Sequence, residues 1–364
     1  MSISLHHTAD PDGDDLWRRL WDADAVQPPY YQPGELLAAA RHFQPVYYLP
    51  GHLRYEQSGD LPVDLAPERL VAVEDGRPVA GLALTVERHR GGTRISCYGR
   101  PLYLVRDSTA GEDRVAAAAG LLHGRLDELV RRHGAPGYHL RDFLAHGRLS
   151  PLSERVLRDG GQAVPYFTQV IDLRQSPEAI RAGLRDNHRR ILRKRTPQLR
   201  MRVVGPDTVR PDHADLMVRL HRIMRGSTVR SEAYWRAVVE SVRLGEGFLV
   251  VAEDAEREVA VAHFATSTRM CFYSTAAHDP AHKGAGLSHV LLWRAIEHAK
   301  ELGCAGFEVG DRIYPGQHSF VPEKLHGISH FKAGFGSAAT VRMDVLSAAA
   351  EPDPPMDGGH RTDD

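Results

Sequence analysis

The sequence predicts an α/β protein of the α+β kind, with two domains of the same build in tandem, each a mixed sheet flanked by helices. Three observations predict it. The order strand, strand, strand, helix, strand occurs twice along 364 residues, a length that suits two domains of ordinary size. Two hairpin signatures line up, LVAVEDGRPVAGLAL after Arg69 and LVVAEDAEREVAVAHF after Phe248. Cys271 to Gly310 reads as a strand, a turn with two glycines, an amphipathic helix and a second strand. A repeat of this length means two related domains side by side, not a solenoid.

In chain order, residues 14–43 are helical in pieces, DDLWRRLWDAD and GELLAAARHF, broken by PPYYQP. Between Arg69 and Arg88 two β-rich runs flank the turn Glu74–Arg77. A third run covers Arg94–Val105, a helix Asp113–His133, and a short strand Tyr138–Phe143. The helical SERVLRDGG then leads to a boundary near Gln162–Pro165, which gives domains over 1–164 and 165–346. In the second half the hairpin covers Gly247–Ser267, the third strand Met270–Ala277, the helix Leu287–Leu302 and the next strand Ala305–Gly310. Leu287, Val290, Leu291, Ala295, Ala299 and Leu302 recur at steps of three and four and so share one stripe of that helix. Residues 347–364 are proline-rich and poor in apolar side chains, and are expected to be a disordered tail.

Composition removes several classes. The formal net charge is -1, so any affinity for nucleic acid must be local. The cysteines Cys97, Cys271 and Cys304 form no CxxC pair, and no HxH or HExxH occurs, so neither a disulfide framework nor a metal site is expected. The first residues lack a basic stretch followed by an apolar run, and no 18-residue apolar stretch exists, so no secretory signal and no membrane span are expected. A cytoplasmic location follows as an expectation.

Three stretches carry chemistry. In AHKGAG, Gly284 and Gly286 bare backbone N–H groups at the start of the Leu287 helix, where the helix dipole favours a phosphate or oxyanion. From Arg181 to Arg202 there are nine basic residues and one acid, Asp186. With Ile180, Leu184, His188, Ile191 and Leu192 facing inward, one basic helix over Glu178–Arg202 would turn Arg189, Arg190, Arg193, Lys194 and Arg195 outward as a phosphate-attracting surface. The alternative is a solvated face that keeps the chain soluble. The segment Gly310–Gly327, rich in proline, glycine and aromatics, is expected to be a loop next to the site that acts as a substrate lid or a specificity loop. Lys332, between Phe331 and Phe335, is either a snorkelling surface residue or a fixed cation in a cleft.

The strand order with its glycine turn resembles the Gcn5-related N-acyltransferase fold, and two such units in tandem resemble the Fem family of aminoacyl-tRNA-dependent transferases. LRDNHRRILRKRTPQLRMRVV resembles the basic helix and strand that open the family's second domain. LLWRAIEHAKELGCAGFEVGD resembles its central helix and following strand, and HFKAGFGS its Phe-Lys-x-x-Phe-Gly closing motif. The resemblance implies amide-bond formation. An amine, of a peptidoglycan precursor or a specialised metabolite, would attack the ester carbonyl of a charged tRNA, with aminoacyl-tRNA as co-substrate and no tightly bound cofactor. Lys332 would then be the catalytic cation or would neutralise the terminal tRNA phosphate, Phe331 would lie against the terminal adenosine, and Tyr273, Asp311, Arg225 and Arg230 would join the basic helix and the glycine turn in binding substrate. Two departures count. Gly99–Asp107 reads GRPLYLVRD, with Asp107 out of register for the family's first-domain acid. Ala281 stands where an acyl-CoA loop carries Gln or Arg, although Gly284 and Gly286 leave an acyl-CoA donor as the alternative. A non-catalytic RNA- or phosphate-binding protein is the reading from another class.

Overall fold

The computed structural model describes residues 3–7, 9–42, 61–144, 147–226, 230–282, 284–315 and 323–347. Of the tail expected over 347–364, Ser347 is instead buried and held to Tyr138, its N–H donating to the Tyr138 carbonyl (3.1 Å) and its Oγ accepting from the Tyr138 N–H (3.1 Å); residues 348–364 lie outside the described ones. The first half contains β1 (Ile3–His7), α1 (Gly13–Ala23), a 3-10 turn at Pro29–Tyr31, α2 (Pro33–Ala40), β2 (Asp64–Glu74), β3 (Arg77–His89), β4 (Gly92–Ser96), β5 (Val105–Arg106), α3 (Glu112–His133), β6 (His139–Asp142) and α4 (Pro151–Arg158). The second contains β7 (Gln162–Asp172), α5 (Pro177–Gly183), α6 (Asp186–Arg195), β8 (Arg200–Val204), α7 (Asp212–Arg225), α8 (Glu232–Arg243), β9 (Gly247–Asp254), β10 (Arg257–Thr266), β11 (Met270–His278), α9 (Leu287–Glu301), β12 (Gly306–Asp311), α10 (Glu323–Ala333) and β13 (Ala338–Leu346).

Strands β1–β5 form a five-stranded sheet whose ladders are antiparallel, with parallel single bridges from Ile95 to Tyr138 and Leu102 to Leu140. The other sheet has eight strands in the order β6-β13-β7-β12-β11-β10-β9-β8. It takes β6 from the first half, which pairs with β13 from Met343↔Asp142 to Leu346↔His139. The expected boundary at 164/165 falls inside β7, because that strand must run on to pair with β12 and β13. The third run of the first half is also divided. Tyr98 (φ 54) and Gly99 (φ 80) turn the chain between β4 and β5, in a left-handed conformation that suits glycine and strains tyrosine.

Alternation along β9 explains the layering. Phe248, Val250 and Ala252 face α9, while Leu249 and Val251 face α7 and α8, so both faces of the strand are covered and it reads as a continuous apolar run. Each of the fully buried Phe, Val and Leu side chains contributes about 1.5–3 kcal/mol. Helix α9 buries Leu287, Val290, Leu291, Ala295 and Ala299 as the periodicity requires, but Leu302 is its exposed C-cap.

Two segments differ from expectation, both for tertiary reasons. The basic stretch is not one helix: α5 ends at Gly183, Leu184 and Arg185 are extended, and α6 begins at Asp186. The break lets the Arg185 N–H donate to the Gly334 carbonyl (2.8 Å). The expected lid over Gly310–Gly327 is loop only in part. β12 runs on to Asp311 and α10 starts at Glu323, so Lys332 sits near the end of a helix; residues 316–322 of that stretch lie outside the described ones.

Candidate functional site

Strands β11 and β12 run parallel for three residue pairs, Met270↔Gly306 to Phe272↔Glu308, and then part. The opening is held by a bulge where β12 meets β7, between Glu308 and Gly310. A cavity of about 310 Å³ lies there, and both halves of the chain line it. The second half supplies Tyr166, Phe272, Tyr273, Ser274, Asp311 and Lys332. The first supplies Tyr30, Tyr31, His42, the Tyr98–Pro101 turn and Arg141.

Lys332 projects from α10 onto the backbone of Gly310. A Cβ added to Gly310 (φ 112) would lie 2.5 Å from Nζ, so glycine is required for this approach. Nζ also stands 5.2 Å from the centroid of the Tyr273 ring. Desolvation lowers the Lys332 pKa from its ordinary value, against the opposing pull of Asp311 and Glu308. Asp311 accepts a short hydrogen bond from the Tyr166 hydroxyl.

Beneath the cavity lie two buried ion pairs. Arg342 donates to both oxygens of Glu308 (2.9 and 2.7 Å) and to the Tyr30 hydroxyl (2.8 Å), and Thr168 Oγ1 donates to Glu308 Oε1 (2.7 Å). Arg141 donates twice to Asp344 (2.8 and 3.0 Å) and lies 3.9 Å from the Tyr166 ring centroid. Burial works against the Asp344 charge, yet Arg141 and His139 hold its carboxyl well below the usual range. The 3-10 turn is fixed from both sides. Tyr31 donates to the Pro101 carbonyl (2.7 Å), Arg100 donates to the Tyr30 carbonyl (2.7 Å), and burial pushes both phenols up. At the far end, Arg230 stacks on Tyr234 (4.7 Å) and Trp235 (5.5 Å). Burial, helped by Arg230, pushes His42 down to about 4.

The predicted residues thus fall into two groups. Lys332, Tyr273, Asp311 and Arg230 meet in the cavity. Arg189, Arg190, Arg193, Lys194 and Arg195 lie on α6 with Gly284 and Gly286 beside them, because α6 packs on the glycine turn. A Cβ at Gly286 (φ 71) would meet Ile191 Cγ2 at 2.5 Å, and Arg195 donates to the Gly284 carbonyl (3.1 Å). Arg189 pairs with Asp186, Arg190 donates to Asn187 (3.0 Å), and Arg193 and Lys194 are exposed. Phe331 does not line the cavity: its ring packs on His188 (5.5 Å) and His289 (5.0 Å). Arg225 is exposed at the end of α7, away from the lining. Asp107 caps its own turn through the Thr109 N–H (2.8 Å), outside the cavity.

Sequence reasoning missed Tyr30, Tyr31, Arg141, Glu308, Arg342 and the role of Gly310. The one available signal was charge within apolar strands, Glu308 in GFEVG and Arg342 in TVRMDV. Among the described residues no group of three His, Cys, Asp or Glu could hold a metal ion, and none of the helices is long and apolar enough to cross a membrane. The three cysteines are buried and unpaired.

A helix between two parallel strands that part beside it, in a mixed sheet and joined to a second sheet domain, defines the tandem Gcn5-related N-acyltransferase fold. Residues 178–318 match the acetyltransferase (GNAT) domain family. The chain is similar to a crystal structure of FemX, with TM-score 0.66 and 9% identity over 93% of this chain and 96% of that one. It is also similar to a tandem GNAT protein from the clavulanic acid biosynthesis pathway, with TM-score 0.50 and 16% identity over 97% and 100%. A third similar structure is the C-terminal domain of a putative lysylphosphatidylglycerol synthetase from Agrobacterium fabrum, with TM-score 0.50 and 15% identity over 75% and 81%. No curated protein matches the sequence.

Proposed function

We propose that the protein is an acyltransferase that forms an amide bond, moving an aminoacyl group from aminoacyl-tRNA to an amine acceptor. A peptidoglycan precursor or a specialised-metabolite amine fits the acceptor role. The observation that carries this reading is the seat of α6 on the glycine turn. Ile191 occupies the space over Gly286, and Arg195 holds the Gly284 carbonyl. The phosphate-attracting groups on that side are then the outward Arg193 and Lys194, which suit an extended polyanion better than a buried pyrophosphate. A similar structure bears the name lysylphosphatidylglycerol synthetase, which supports an aminoacyl group as what is moved.

In the cavity the acceptor nitrogen attacks the ester carbonyl carbon. The C–N bond forms, the C–O bond to the ribose breaks, the nitrogen gives up a proton and the departing ribose oxygen gains one. Negative charge develops first on the carbonyl oxygen and then on the leaving oxygen. Lys332 is the cation held beside that point, and a fixed donor of this kind acts most strongly where water is excluded. Positioning of an already activated ester accounts for the rest. A second reading, acyl-CoA as donor, is favoured by Gly286 at the N-cap of α9 and by the match to the acetyltransferase (GNAT) domain.

The test is transfer from mixed charged tRNAs, with acetyl-CoA in parallel, to a panel of amines including a peptidoglycan precursor, read by mass spectrometry. RNase-sensitive addition of an amino-acid mass is expected. An RNase-insensitive acetyl adduct would return the protein to the acyl-CoA class. Changing Arg190, Arg193 and Lys194 together to Ala should raise the KM for charged tRNA. It should also flatten the slope of log affinity against log salt by roughly two to three, about 0.9 for each phosphate no longer neutralised. An unchanged slope would make α6 a solubility feature.

A further inference from the structure

Lys332 is the penultimate residue of α10, and the end of that helix is held by the start of α6. The Arg185 N–H donates to the Gly334 carbonyl (2.8 Å). The Arg185 guanidinium donates to the His330 carbonyl (3.3 Å) and to His330 Nε2 (2.8 Å). His188 Nε2–H donates to the Phe331 carbonyl (3.0 Å). Three of these four bonds go to carbonyls at the end of α10 or in the turn after it, the Phe331 carbonyl also accepting from the Gly334 N–H (3.0 Å), and Arg185 places a positive charge at the negative end of the helix.

The seat is close. His188 is 3% exposed and its ring is wedged between Phe335 (4.8 Å) and His289 (4.5 Å). Any side chain at Gly334 would collide with that ring, and a Cβ at Gly336 (φ 76) would lie 2.8 Å from the Gly183 carbonyl. At the other end of the connection, Nζ of Lys332 lies close over Gly310, where any Cβ would meet it. Helix α6 therefore has two charges in its care: an outer cationic face open to solvent, and the end of the helix that carries Lys332.

We infer that Arg185 and His188 are positioning residues that couple an anion seated on the outer face of α6 to the placement of the Lys332 ammonium over Gly310. The inference rests on the proposed function for its purpose, since it makes donor docking and the catalytic cation one unit. Its physics rests on the bonds alone. Four hydrogen bonds and a packed ring join the two helices, so α6 cannot shift without carrying the end of α10. A shift there changes how far Nζ is desolvated among Tyr273 of β11 and Glu308 and Asp311 of β12. Coupling of this kind is reciprocal.

The test is competitive labelling of lysines by acetic anhydride across pH, read on the Lys332 peptide by mass spectrometry. The full chain is used, with and without unfractionated uncharged tRNA as the anionic probe. In the wild type the Lys332 midpoint should lie below that of ordinary lysines and should move when tRNA is added. Arg185→Gln, a change at an exposed position, should raise the midpoint by about one pH unit, the scale on which burial acts on a lysine, and should abolish the response to tRNA. His188→Phe should do the same. His188→Gln, whose amide can still donate to the Phe331 carbonyl, should restore both. A wild-type midpoint and a wild-type response to tRNA in Arg185→Gln overturn the inference, whatever His188→Phe does. Labelling needs neither donor nor acceptor, so the two failures are separable. Coupling without RNase-sensitive transfer sinks the proposed function alone, and transfer without coupling sinks the inference alone.

Discussion

Replacing Lys332 by Met is expected to lower kcat by at least ~10²-fold, the usual size for loss of one donor to a developing oxyanion, while the protein stays folded. Met matches the length and apolar stem of lysine and removes only the ammonium. The sign for stability runs opposite to that for activity. Burial lowers the Lys332 pKa, so the folded chain binds this proton less tightly than the unfolded chain does. The cost of burying the charge is fully present below the folded pKa and is relieved as pH rises through the interval between the two values. Lys332→Met removes that cost, so its Tm at neutral pH should equal or exceed that of the wild type. The activity needs the cation. The wild-type rate should therefore fall as pH rises through the lowered folded pKa, earlier than for an ordinary lysine. Lys332→Arg should not rescue kcat, because a planar guanidinium spreads its charge over a fork and does not reproduce the compact ammonium that lies close over Gly310. Near-wild-type kcat in Lys332→Met would remove Lys332 from the mechanism. A Tm fallen by about ten degrees or more would instead make it a structural residue, on the scale of roughly 2–4 °C per kcal/mol.

What could be read in advance follows the reach of each force along the chain. The hairpins β2–β3 and β9–β10, the helix α3 and the helix α9 were legible because period and turn chemistry are local. The tandem arrangement followed from their order. Lys332, Tyr273, Asp311 and Arg230 were picked out from the resemblance, and the cavity brings them together. The break between α5 and α6 was not legible, because it satisfies the carbonyl of Gly334, far along the chain. Nor was α10, whose apolar positions have no helical period to read and whose start follows a run of proline and glycine. The ion pairs are the clearest case. Arg141 and Asp344 are 203 residues apart, and only the pairing of β6 with β13 makes them neighbours. A single charge in an apolar strand gives notice that a partner exists, but not which one. The same limit explains Phe331 and the α6 arginines, which were grouped with Lys332 by motif but do not line the cavity.

Replacing Arg342 by Met should give the largest loss of stability in the molecule. Arg342 is 3% exposed and Glu308 2%, and removal of one member leaves the other charged in a medium that cannot solvate it, at a cost of about 3–5 kcal/mol. With about 2–4 °C per kcal/mol for a domain of this size, Tm should fall by roughly 6–20 °C. The pair itself is a different quantity. Arg342→Met with Glu308→Met removes both charges and should recover most of the loss, because two desolvation costs go together with the attraction that offset them. Recovery in Tm should not bring recovery in activity. Arg342 also donates to the Tyr30 hydroxyl (2.8 Å), which fixes the 3-10 turn of the first half against the floor of the cavity, and Glu308 is one of the two carboxylates that oppose the desolvation of Lys332. The double variant should therefore melt near the wild type yet turn over more slowly, with the alkaline limb of its rate displaced to lower pH once one of those carboxylates is gone. If the double variant instead melts as low as Arg342→Met, the stabilising element is not the cancellation of charge but the bond from Arg342 to Tyr30. The two halves of the chain would then be held together at the cavity by that tyrosine.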